Sequence, residues 1–559
     1  MASLRRLLRN SRDHADIPAK AEDLQVNAPI TADCYPVTVE PGLNRLFLDF
    51  CAGTLPAFLP KAERWQQRPA LPRHWAELHR ILAAQNPGSA AAASLAAFEK
   101  GAGVVVTGQQ VGLFGGPLYT PYKAATAIAR AQQGTASSRP HVAIFWLASE
   151  DHDFTEIDHT TFPAGRELEK LVYEHAPETA LPAGRILLDD SIGPLVERSV
   201  ELMGPSDTTE ALAVAYRPGR TFAEAFAEFY GKVFAAQGLL VVDASGRELH
   251  RMGAPVLRAG IERADELHAA LLERSKMLEE AGYHSQVTVA EGSSLLFLVD
   301  EQTGARVALK RTPPGAAEPN GIWHAGTQRF STGELVGILD TEPERISPAA
   351  LLRPLFQDFL FSTSLQIAGP AEIAYLAQSA VLFGRIMGRQ TPVEARFSAT
   401  LIEPSIANLL RKHDLGLEQV FAEENAGSLA QRLAARSMPI ETKQRLAAAG
   451  NALDAELTTL VDWMQAQDKG LGQSADTAAG KIRYQMNRLR TLAANFQLQK
   501  ESTLARHAES IIQAILPGGV LQERVHGAAY YFARYGLDLA AAICEQAANP
   551  CPGHSAMWL

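Results

Sequence analysis

Short, nearly unbroken apolar runs alternate with amphipathic stretches through the first half of the chain. GVVVTG (103–108) opens into the loop QQVGLFGGPLYT; PYKAATAIARAQQG (121–134) has helical spacing; HVAIFWLAS (141–149) is apolar again. Pro121 suits the first turn of a helix. Strand, loop, helix and strand make a βαβ unit, and strands lacking polar alternation predict a parallel sheet covered on both faces. FAEAFAEFYGKVFAAQG, the run LLVVDAS (239–245) and a long helical stretch to about 282 extend the pattern into a doubly wound α/β core. Ahead of it, an irregular lead-in precedes a helix at 71–86 and a second that starts near Ser89 and stops at Gly101.

Between about 285 and 340 the period changes to that of strands, with a turn at Glu301-Gln302-Thr303-Gly304, which predicts an antiparallel insertion in the core. Helix, a strand-like QIAG and another helix follow over 351–378. Beyond 400 the sequence turns to Ala, Leu, Gln and charge. Leu446, Leu453, Leu457, Leu460 and Met464 form one stripe, and Ile482, Met486, Leu489, Leu492 and Phe496 a second, with the break carried by DKGLGQSAD. Two long helices in an antiparallel coiled coil fit this spacing; an ordinary core helix pair is the alternative. After Pro517-Gly518-Gly519 a helical segment closes the chain. The resulting partition is 1–284 for N-terminal helices and the first part of a Rossmann-like core, 285–345 for a β-rich connecting insertion, and 346–400 for the rest of the core. A helical coiled-coil dimerisation domain takes 401–516, and a C-terminal helical segment 517–559.

Composition narrows the function classes. With 559 residues, 47% apolar, the chain can build a large core and is not a disordered protein. A net charge of −10 argues against bulk nucleic-acid binding or an anionic membrane as partner. No apolar run approaches the roughly 18 residues of a membrane span. The start, MASLRRLLRNSRDHADIP, lacks the apolar core of a signal peptide. Cys34, Cys51, Cys544 and Cys551 form no CxxC pair, so each reads as a buried or surface thiol rather than a zinc ligand, and a reducing cytoplasm fits.

The candidate chemistry sits where two strands end, since ligands of open α/β sheets bind beyond the carboxyl ends of strands. The first run ends at Gln109 and Gln110, the second at Ser149, Glu150, Asp151, His152 and Asp153. Gly115 and Gly116 let backbone approach a ligand, and the following helix with Lys123 near its start can face an anion. Neither GxGxxG nor a P-loop is present, and a tight turn explains the glycines equally. Asp151 or Asp153 can hold an amine or act as general base, and His152 can carry a proton. The bland reading is a solvated loop in which Asp153 caps the next helix. No metal ligand set is assigned. A third cluster is Arg353, open to a carboxylate or phosphate or to a structural bridge with Asp358, together with Glu372 and Tyr375 beyond a strand ending in Gly-Pro. His159, His175, His284 and His324 are isolated and read as structural.

TGQQVGLFGGPLYTPYKAATAI, FWLASEDHDFTEIDH, RISPAALLRPLFQDFLF, IAGPAEIAYLAQ and the terminal LQERV…YFARYGLDL resemble the BshC family, the cysteine-adding enzymes of bacillithiol synthesis, over about residues 30–540. The resemblance implies a core like that of class I nucleotidyltransferases, inserted connecting segments, and a coiled coil that forms a homodimer. It implies a carbon–nitrogen ligase that joins the carboxyl group of L-cysteine to the amine of glucosaminyl-malate. A free carboxylate does not react with an amine at a useful rate, so ATP activation is expected. In this reading Asp151, His152 or Asp153 is the base; Gln109, Gln110, Tyr119 and Ser149 orient the sugar and malate; Lys123 and the helix start hold an anion. The HIGH and KMSKS motifs of class I synthetases are absent. A nucleotidyltransferase-like enzyme acting on another substrate, and a non-catalytic dimeric scaffold that binds sugar or nucleotide, are the competing readings.

Overall fold

The computed structural model describes residues 30–559 apart from 56–57, 60–61, 69–73, 316–319, 501 and 550. The N-terminal stretch read for a signal peptide lies outside the described residues. Contacts divide the chain into two units: Met1–Ala164, Leu168–Thr400 and Glu523–Met557 make the first, and Gly165–Glu167, Leu401–Gln522 and Trp558–Leu559 the second.

The first unit is built on a five-stranded sheet. Its strands are β1 (Gly103–Gln109), β2 (His141–Leu147), β3 (Leu240–Asp243), then, after an inserted sheet formed by β4 (Ser293–Val299), β5 (Arg306–Thr312), β6 (Ile322–Ala325), β7 (Gln328–Phe330) and β8 (Ile346–Pro348), β9 (Leu365–Ala368) and β10 (Val393–Ala395). The core sheet has the order β3-β2-β1-β9-β10 and is parallel throughout. This is the Rossmann order, in which connections run in opposite directions from the central strand and leave a crevice between β1 and β9. All seven residues of β2 are buried, which accounts for its unbroken apolar sequence. Helix α1 (Tyr119–Ser137) makes the β1–β2 crossover. It begins two residues before Pro121, so Lys123 stands in its second turn rather than its first. Helices α2 (Arg247–Glu262), α3 (Arg353–Phe361) and α4 (Pro370–Leu382) complete the elements that shape the crevice.

The inserted sheet has the order β7-β6-β5-β4-β8, and its four internal pairings are antiparallel. The predicted turn is its first hairpin, where the Asp300 carboxylate accepts the backbone N–H groups of Gln302 and Thr303 at 3.1 and 2.8 Å.

In the second unit, α5 (Ile440–Gln467) and α6 (Lys469–Lys500) form the antiparallel pair. Gln465 lies against Gly472, Asp454 bonds Arg483, and Gly450 lies beside Arg490. The break is narrower than DKGLGQSAD: only Asp468 leaves the helix, and its carboxylate accepts the Leu471 N–H at 2.8 Å. The seam is also different. Gly450, Gly472, Ala479 and Ala494 are buried, because small residues let two helices approach. Leu457 alone of the two predicted stripes is buried, whereas Leu460, Ile482, Leu489, Leu492 and Phe496 stay exposed.

Two further expectations are corrected. Cys34 and Cys551 form a disulfide, leaving only Cys51 and Cys544 as thiols. A separation of 517 residues gave no local signal for this pairing. The chain also closes on a strand, His554–Trp558, next to Thr31–Tyr35, and not on a helix, because the polar and small residues after Ala548 end the last one.

Helices α2 and α3 touch through Gly253 and Phe356, and any β-carbon at 253 would overlap the Phe356 ring. Gly253→Val is expected to destabilise the first unit by about 3 kcal/mol, the upper end for overpacking a core. Urea unfolding followed by tryptophan fluorescence measures it.

Candidate active site

The crevice between β1 and β9 holds a cavity of about 430 Å³. Gly108, Gln109 and Gln110 from the end of β1, Asp151 from the loop after β2, and Gly369, Glu372 and Tyr375 after β9 line it, with Arg353 from α3. The two strand tips singled out in the sequence therefore converge on one pocket.

Lys123 lines the cavity with its ammonium already engaged by the protein. Its ammonium, almost fully buried, donates to the Gly108 carbonyl at 2.7 Å and to Oε1 of Gln109 at 2.9 Å, and pairs with Glu372. Burial depresses its pKa, and Glu372 opposes the depression. Glu372 itself accepts the Gly369 N–H at 2.7 Å and so caps α4. Gln109 donates onward to the Tyr119 hydroxyl at 3.3 Å.

The glycine loop is filled rather than open. The Gly115 N–H meets the Tyr216 hydroxyl at 3.0 Å, the Leu113 N–H the carbonyl of Ile157 at 2.8 Å, and the Leu118 N–H that of His526 at 3.0 Å. Gly115 has φ +86°, and a β-carbon there would press on Phe229, so the glycine is demanded by packing. Neither Gly115 nor Gly116 lines the cavity. The N–H groups of Leu113, Gly115 and Leu118, in the loop read as able to face an anion, are thus engaged by the protein itself.

Asp151 is the member of the acidic loop in the cavity wall. Its carboxylate accepts the His152 N–H at 2.8 Å and the Gln110 side-chain amide at 3.2 Å. Burial pushes its pKa up, yet Arg306 and Arg353, with those hydrogen bonds, outweigh burial and hold it below the ordinary carboxylate value. His152 turns to Arg306, whose guanidinium lies 3.3 Å from Nδ1. Burial and then Arg306 lower its pKa against the pull of Asp151 and Asp153. Asp153 stands at the N-terminal position of a short turn without a side-chain capping bond, and its carboxylate accepts the Thr155 hydroxyl at 2.8 Å. Ser149 is buried and donates to Asp243, tying β2 to β3 away from the cavity.

Four cations line the cavity: Lys123, Arg353, Arg396 and Arg524. Lys123 pairs with Glu372, Arg396 with Glu523 and Arg524 with Glu40. Among the described residues Arg353 has no carboxylate within 4 Å; it donates to the Tyr375 hydroxyl at 3.4 Å. Asp358, its suggested bridge partner, pairs instead with Arg68 and Arg389. Tyr375 is pushed up to about 12, first by burial and then by Glu372, so it serves as a neutral hydroxyl. Gln357, Gln366, Glu156 and Arg524 also line the pocket, inside quoted segments but with no role read for them, and Arg396 lines it from outside every quoted segment. Among the described residues no group of three or more His, Cys, Asp or Glu is gathered for a metal ion, and no helix is long and apolar enough to cross a membrane.

The family profile for "Bacillithiol biosynthesis BshC, N-terminal Rossmann-like domain" matches residues 50–396, and that for the "C-terminal coiled-coil domain" matches 399–557. The chain belongs to the BshC family. A relative from Koribacter versatilis is 38% identical over 536 residues, spanning 93% of this chain and 98% of its own length. One from Solibacter usitatus is 35% identical, spanning 87% and 90%, and one from Geobacillus kaustophilus 32%, spanning 78% and 80%. All three carry the name "Putative cysteine ligase BshC". The BshC Rossmann-like match contains every cavity residue named above except Arg524.

Behind the site, His250 of α2 is fully buried, with Nε2 2.9 Å from Glu150 and Nδ1 against the carbonyls of Pro343 and Ile346 at 3.1 and 3.0 Å. Burial lowers its pKa, but Glu150 and the two carbonyls more than reverse this, so the net shift is upward. A raised folded-state pKa gives stability that is complete below about 6.5, the unfolded value, and fades as pH climbs through the raised value. Denaturation midpoints compared across pH 5–9 are expected to fall on the alkaline side for the native chain, and the fall should be absent in His250→Gln.

Proposed function

We propose that this chain is a cysteine ligase that joins the carboxyl group of L-cysteine to the amine of glucosaminyl-malate. The observation that carries the reading is the pairing of opposite tasks in one cavity. Asp151, an ionised acceptor, and Arg353, a cation without a carboxylate of its own, face a substrate that offers an amine and carboxylates. Asp151 takes the amine N–H and accepts its proton as the nitrogen–carbon bond forms and the ATP-activated cysteinyl carbon expels its phosphate or AMP. Arg353 holds a malate carboxylate, with Gln357, Gln366 and the Tyr375 hydroxyl fixing orientation. Loss of water in amide formation is uphill in solution, so ATP as the energy source belongs to the proposal on chemical need alone. A cytoplasmic setting, where both substrates would be at hand, also belongs to it.

The test is purified protein with glucosaminyl-malate, cysteine and ATP, read by mass spectrometry for the amide and for AMP against ADP. Amide is expected, with kcat/KM lowered about 10²–10⁴-fold in Asp151→Asn, the range for loss of a positioned base. Arg353→Gln is expected to act mainly on the KM of the sugar, about 10–100-fold, the range for a charge-assisted bond. Pyrophosphate release that needs no cysteine would point to a transferase on another substrate. Binding without turnover would point to a scaffold.

The exposed apolar positions of α5 and α6, among them Trp463 and Phe496 at 59% exposure each, support a homodimer through this helical pair. Leu489→Asp with Phe496→Asp is expected to convert a two-chain species to one chain in analytical ultracentrifugation.

A further inference from the structure

Two of the acidic loop's proton acceptors, Asp151 and His152, lie under the influence of Arg306, and the geometry divides their tasks. Arg306 opens β5 of the inserted sheet and is buried. Its Nε donates to the Ser347 hydroxyl at 3.0 Å, and Nη2 to the carbonyl of Pro348 at 3.0 Å, so β8 fixes the guanidinium plane. Phe297 of β4 lies under it, 3.7 Å from ring centre to Cζ, and holds its other face. The remaining arm, Nη1, reaches Nδ1 of His152 at 3.3 Å. Arginine has no lone pair to offer, so this bond requires an unprotonated Nδ1, and the proton of the neutral imidazole then sits on Nε2.

We propose that Arg306 is a positioning residue of the site: it occupies the basic nitrogen of His152 and so leaves proton acceptance to Asp151. Proton acceptance rests on the function proposed above; the imidazole geometry does not. The inserted sheet, which contributes Arg306, Phe297 and the β8 acceptors, thereby sets the protonation pattern of a loop on the Rossmann-like core. The charged groups acting on His152 are Arg306 from β5 and Asp151 and Asp153 from its own loop. Those acting on Asp151 are Arg306 and Arg353. Glu150, held by His250, acts on Arg306 from behind. With both arginines in place, Asp151 stays ionised and His152 neutral through the same pH range.

Full-length protein labelled with ¹⁵N-histidine reports the tautomer directly, with the His152 signal assigned by its loss in His152→Gln. The native ring is expected to show bare Nδ1 and protonated Nε2 at neutral pH; a protonated Nδ1 overturns the proposal without any variant. In Arg306→Gln the His152 titration is expected to rise by about one pH unit, the effect of removing one adjacent charge. The acid limb of kcat/KM for amide formation should move upward with it, and Arg306→Lys should restore part of the limb. Equal loss of rate at every pH with an unchanged His152 titration overturns the positioning role. A native enzyme that makes no amide defeats the ligase reading, while the ring measurement still decides what Arg306 does.

Discussion

One buried ammonium holds the crevice together. In a Rossmann-order sheet the chain leaves the central strand in opposite directions, so β1 and β9 pair through backbone at Val105 and Val106 but their carboxyl ends beyond that need a side-chain tie. Lys123 supplies one, since it binds the Gly108 carbonyl and Gln109 on one side and Glu372 on the other. Desolvating a lysine is costly, and removing one partner of such a pair leaves an uncompensated charge at a cost of about 3–5 kcal/mol. Glu372 in turn caps α4, so the same contact sets where the second half of the fold begins. Gln109 and Glu372, both in the cavity wall, take their positions from this clamp.

The charge inventory follows the same logic. Lys123, Arg396 and Arg524 each arrive with a carboxylate, and these pairs make walls rather than binding groups. Arg353 is different, because its neighbour is a tyrosine hydroxyl and its nearest acidic influence in the cavity, Asp151, is shared with Arg306. The charge the cavity presents therefore comes from a small imbalance within a crowded set of ions.

Local patterns made the elements legible, and distant partners decided their use. Apolar runs located β1, β2 and β3, and the polar ends of the first two located the pocket. The glycine loop looked like an open anion site because its partners, Tyr216, Ile157 and His526, are far away in sequence. The carboxylate partner of Lys123 stands on α4, equally far along the chain. Leucine spacing found α5 and α6 but not their seam, because glycine and alanine make the close contact and, of the predicted stripes, only Leu457 is buried. Arg306, Arg396 and His250 stand in no motif, Arg524 stands in one that assigned it no role, and only the folded chain places all four. The disulfide between Cys34 and Cys551 belongs to the same class.

The chain leaves the first unit at Thr400 and re-enters it at Glu523. Glu523 is the buried counter-charge of Arg396, and Arg524 lines the cavity. During synthesis the sheet is thus translated long before its last wall emerges from the ribosome. Until those late residues arrive, Arg396 has no counter-ion for its place in the interior. A nascent polypeptide that has already made every strand of the sheet is still an unfinished pocket, and catalytic competence waits on the final stretch of translation.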